Sequence, residues 1–111
     1  MERTQAKEAQ RAKEQQTKNA SLVLGRISSS IVALRAVMEN QNFAFLAPMI
    51  KRPVEEGWTR LQTLDSDATR VIENGEGEVE DAKAIAAEVA VLRKHMVLAS
   101  SILATMAKVQ P

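Results

Sequence analysis

The sequence predicts an all-α protein: a long N-terminal helix, a shorter middle helix and a long C-terminal helix, forming an oligomeric helical bundle or coiled coil. Three observations carry that reading. Apolar residues recur at alternating spacings of three and four over long stretches, which is the helical period. Three aromatics and four glycines in 111 residues are too few for the ring-rich strands and frequent turns of a β-sandwich or barrel. Internal prolines fall only at 48 and 53, and closely spaced glycines only at 75 and 77, so the chain is punctuated twice. At this length it makes one domain at most.

Residues 1–20 read as a polar helical arm. Ala, Gln, Lys, Arg and Glu dominate it, all strong helix formers, and only Ala6, Ala9, Ala12 and Ala20 could face a core. The bundle domain, 21–111, follows. Its first helix is expected over about 21–46, continuous with the arm. Leu24, Ile27, Ile31, Leu34 and Met38 make one stripe, with Gly25 and Ser28–Ser30 as small residues between them. Proline disfavours helix in the residue before it, so this helix is expected to end by Ala47. Pro53 suits the first turn of a middle helix over about 54–73, which turns Val54, Trp58, Leu61, Leu64, Ala68 and Val71 inward and stops at Asn74-Gly75-Glu76-Gly77.

The third helix, about 79–108, has the most regular stripe: Ala82, Ile85, Val89, Leu92, Met96, Ala99, Leu103 and Met106. From Met96 to Ala107 nearly every face is apolar or small, and a helix apolar all round is buried all round. Neighbouring subunits are therefore expected to complete its enclosure. The expected oligomer interface comprises Leu24, Ile27, Ile31, Leu34, Met38, Ile85, Val89, Leu92, Met96, Leu103 and Met106. Charge supports self-association: residues 1–52 hold nine basic and four acidic groups, and residues 53–111 six and ten. Apposed halves of opposite sign set register and orientation.

Catalytic and cofactor chemistry finds little material. The absence of cysteine excludes disulfides, thiolate metal sites and a cysteine nucleophile. His95 is the single histidine, so a typical structural zinc site is excluded too, and His95 reads as a solvated boundary residue. Glu73, Glu76, Glu78, Glu80 and Asp81 read as a solvated acidic turn, and Asp65-Ser66-Asp67 lacks the glycine of a calcium loop. Gly75 and Gly77 have no following Lys-Ser or Lys-Thr to make a phosphate loop. The protein is expected to be no enzyme and to hold no cofactor or metal.

The leading function is a structural or assembly role through homo-oligomerisation and contact with another protein, with Phe43, Phe45, Leu46 and Trp58 as docking residues. One alternative is a nucleic-acid accessory using Arg3, Lys7, Arg11 and Lys18 as candidate phosphate contacts; the acids between them reduce the arm to +2, and no aromatics stand beside them. The other is a membrane-associated module using Phe43–Arg52, apolar residues beside basic anchors. The N-terminus lacks the apolar core of a secretory signal. The longest largely apolar run without formal charge, His95–Ala107, is thirteen residues, short of the ~18–20 that span a bilayer. The expected location is accordingly cytoplasmic or within a macromolecular assembly, without a transmembrane helix.

Overall fold

In the computed structural model, which describes the backbone of residues 2–109 and the side chains from Lys7 onward, the chain folds into three helices. They are α1 (Glu2–Met38), α2 (Pro48–Asn74) and α3 (Ala82–Val109), with a 3-10 turn at Phe43–Phe45 between the first two. The Gly57 backbone faces Leu92 while Arg60 reaches Glu88, so α2 and α3 run antiparallel. Asn19 bonds Ala82 and Ser29 bonds Arg93, so α1 and α3 run parallel.

α1 is one rod of 37 residues, and its arm continues the bundle helix without a break. From Lys7 to Lys18 no side chain is buried; from Ala20 the inward stripe begins with Val23, Ile27, Ser30, Leu34 and Val37. The rod projects past the other helices, giving extents of 73 × 21 × 19 Å and a radius of gyration of 18.4 Å. A compact chain of this length has a radius of about 13 Å.

Helix boundaries differ from expectation around the prolines. α1 stops at Met38, well before Ala47, because Asn40 starts a turn: its Oδ1 accepts the Asn42 N–H at 2.9 Å and its carbonyl accepts the Phe43 N–H at 3.0 Å. α2 begins at Pro48 and not near Val54. Pro48 supplies the fixed φ of a first helical residue, and the Ala47 carbonyl accepts from both Ile50 and Lys51. Pro53 then lies inside the helix, where its missing N–H removes a single backbone bond. At the other end Gly75 takes the left-handed conformation, φ 66°, and donates its N–H to the Val71 carbonyl at 3.0 Å.

The core is the three stripes packed on one another: Val23, Ile27 and Leu34 from α1, Val54, Leu61, Leu64, Ala68 and Val71 from α2, and Ile85, Val89, Leu92, Met96, Ala99 and Leu103 from α3. Phe43 and Leu46 close it at the α1–α2 turn.

The expectation of no transmembrane helix is corrected here. The Lys7–Met38 part of α1 and α3 each contain an 18-residue stretch, with no more than two charged residues, that is apolar enough to cross a membrane by length and composition. Counting only uncharged runs missed them, because a helix tolerates one or two basic side chains whose long stems reach sideways to water. The cytoplasmic location rested on that count and falls with it.

Candidate interaction surface

The seam between α2 and α3 is closed at Gly57 and Arg60, beside a depression of about 370 Å³. Gly57 gives Leu92 its room: a Cβ built there would collide with the leucine Cδ1. Beside that contact Arg60 lies between two carboxylates of α3 and its approach. Its Nε donates to Glu88 Oε1 at 2.8 Å, one Nη donates to Glu88 Oε2 at 3.2 Å, and the same Nη pairs with Glu80. The bond to Glu88 chiefly, with Glu80 assisting and burial opposing, raises the guanidinium above its ordinary pKa. It stays charged at any pH at which the protein is handled. Glu56 and His95 stand on the rim of the same shallow depression, His95 half-exposed as expected.

The seam between α1 and α3 is tied at one end and open along its length. At the tied end Asn19 works in both directions. Its Oδ1 accepts the Ala82 N–H at 3.0 Å, and its Nδ2 donates to the carbonyls of Val79 and Glu80 at 3.1 and 3.0 Å. α3 is thereby capped from another helix, with Asp81 Oδ1 accepting the Lys83 N–H at 2.8 Å as its local cap. Further along lies a groove of about 840 Å³, with Ser29, Ser30, Ala33 and Ala36 of α1 opposite Ser100 and Ser101 of α3, and Val37, Arg93, Met96 and Val97 as its larger walls. The Ser30 hydroxyl is 1 % exposed and has no hydrogen-bond partner. Arg93 reaches across to Ser29 Oγ at 3.3 Å.

Val97, on the wall of this groove, is 68 % exposed, and Val32, on the outer face of α1, is 70 % exposed; Val91, 56 % exposed, lines the depression against α2 instead. Residues 15–38 and 89–109 contain three basic residues each and no Asp or Glu, whereas residues 53–79 contain seven acidic and two basic. Over its whole length, 48–74, α2 is close to neutral, with five acidic and four basic residues, so the excess of positive charge lies on α1 and α3.

The residues expected at an oligomer interface are brought together, but inside one chain. Ile27, Leu34, Ile85, Val89, Leu92, Met96 and Leu103 are buried in its own core, and Leu24, Ile31, Met38 and Met106 pack against it half-buried. A contact between subunits would have to use the opposite faces of α1 and α3. Of the expected docking residues, Phe43 and Leu46 are buried, Trp58 is half-buried against the core, and Phe45 is 74 % exposed. Lys7, Arg11 and Lys18 are exposed on the arm; the Arg3 side chain lies outside the described residues.

Asn19, Gly57 and Arg60 were not singled out from the sequence, and Ser30 only as one of the small residues between stripe positions. Each acts on a neighbour remote in the chain, and residue type alone does not name that neighbour. No family model, no curated protein and no solved structure matches this chain.

Proposed function

We propose that the protein is a non-catalytic assembly component that associates with further copies of itself through the outer face of α1 and α3. The observation that carries the reading is the groove between α1 and α3, with Val97, 68 % exposed, on its wall and Val32, 70 % exposed, on the outer face of α1. Contiguous exposed apolar surface marks protein contacts. The basic α1–α3 side of one copy finds carboxylates on α2 of the next at Glu55, Glu56, Asp65 and Asp67. Unlike faces in contact build a ring or a filament in preference to a two-fold dimer.

Light scattering after gel filtration tests this. The expected result is a discrete or growing multiple of 12.2 kDa that reverts to monomer in Val97→Asp with helicity unchanged. A wild-type monomer at high protein concentration would overturn the reading.

A further inference from the structure

The three most exposed large apolar side chains among the described residues share one end of the molecule. Met49 is 81 % exposed, Val109 78 % and Phe45 74 %. Phe45 lies in the 3-10 turn, Met49 in the first turn of α2, and Val109 ends α3, which runs parallel to α1 and so finishes at the same end as the α1–α2 turn. Basic residues accompany them: Lys51, Arg52 and Lys108, none in a salt bridge among the described residues. Lys51 is placed by the Phe43 ring, with its ammonium 6.0 Å from the centroid. Acid is scarce here. Residues 40–54 and 89–109 contain none, Glu39 is paired with Arg35 at 3.0 Å, and the next carboxylates, Glu55 and Glu56, lie a turn further along α2.

We propose that this end of the bundle docks on a membrane surface rich in anionic lipid headgroups. Phe45 and Met49 enter the headgroup–acyl boundary, and Lys51, Arg52 and Lys108 meet the phosphates. The tip projects its apolar side chains outward, the shape a planar interface accepts, whereas a partner helix seats in a groove such as the one between α1 and α3. The basic, acid-free surround selects the sign of the surface. This site shares no residue with the face proposed for self-association.

Co-sedimentation of the full-length chain with vesicles tests it, using phosphatidylcholine alone and phosphatidylcholine with about a quarter phosphatidylserine. Binding is expected to the mixed vesicles only, weakening as salt rises. Phe45→Asp with Met49→Asp should reduce it at least tenfold, and Lys51→Gln with Arg52→Gln by about fivefold for each charge removed. All four side chains lie at the surface, so circular dichroism should be unchanged, and the solution mass should match wild type. Val97→Asp, on the self-association face, should still bind. No binding to mixed vesicles, equal binding to both kinds, binding that survives Phe45→Asp with Met49→Asp, or loss in Val97→Asp instead would each overturn the proposal. Failure of self-association with retained vesicle binding would overturn only the assembly reading.

Discussion

The two seams of α3 are built from similar helices and differ in how they are filled: the depression against α2 holds about 370 Å³ and the groove against α1 about 840 Å³. Against α2, one glycine lets Leu92 sink into the neighbouring helix, and Arg60 joins the two elements through Glu80 and Glu88. Against α1, small residues meet small residues, a buried hydroxyl stays unpaired, and the contact is held at its base by Asn19. Small side chains allow close approach only when something large fills the space opposite. Gly57 has Leu92; Ser29, Ala33 and Ala36 face Ser100 and Ser101, which leaves a groove.

The largest expected difference between the seams comes from placing one charge on each. Leu92→Asp buries a carboxylate in the closed seam and should cost at least about 3 kcal/mol or prevent folding. Val97→Asp, on the open seam, should stay within about 0.5 kcal/mol of wild type. Urea midpoints compare them, and equal losses would remove the distinction. Next, Asn19→Ala strips the tied end of the open seam and should lower stability by about 1–2 kcal/mol, with faster amide exchange in the first turn of α3. Exchange rising evenly along α3 would mean that Asn19 is no local tie.

Gly57→Ala is the subtler test of the closed seam. Overpacking of Leu92 costs about 1–3 kcal/mol, while alanine gains about 1 kcal/mol over glycine within a helix. The net should be a loss near 1 kcal/mol. In a Leu92→Ala background the room reappears, and the same substitution should become stabilising by about 1 kcal/mol. A loss in both backgrounds would show that space for Leu92 is not what glycine provides. The smallest effect is expected at Ser30. Ser30→Ala removes an unpaired buried hydroxyl and should raise stability by up to about 1 kcal/mol; a decrease would reveal a bonding partner in solution.

Much of the fold was legible from spacing. The stripes Ile27–Leu34, Leu61–Val71 and Ile85–Leu103 are the observed core, because a three-four period commits those positions to one face whatever covers it. The Gly75 stop was legible for a similar reason, since a left-handed residue after a helix is glycine's role. The prolines were misread. Pro53 was expected to open α2, yet Pro48 does, since a proline near a helix start is tolerated at more than one position. Counting charges along the chain also hid the two long apolar helices, because basic side chains on one face leave the rest of a helix apolar.

By itself, the sequence determined that the chain is helical, that it turns near Pro48 and at Gly75, and which residue of each helical turn faces inward, because these depend on local backbone preference and on periodicity. Only the tertiary structure decided which stripes cover one another. It turned the residues expected between subunits into the core of a single chain, left the outer faces of α1 and α3 as the surface available to a partner, and gathered Phe45, Met49 and Val109 at one end. Those outcomes depend on which helix lies beside which and at what depth. That is fixed by the volumes of side chains far apart in the sequence, such as Gly57 with Leu92 and Asn19 with Ala82.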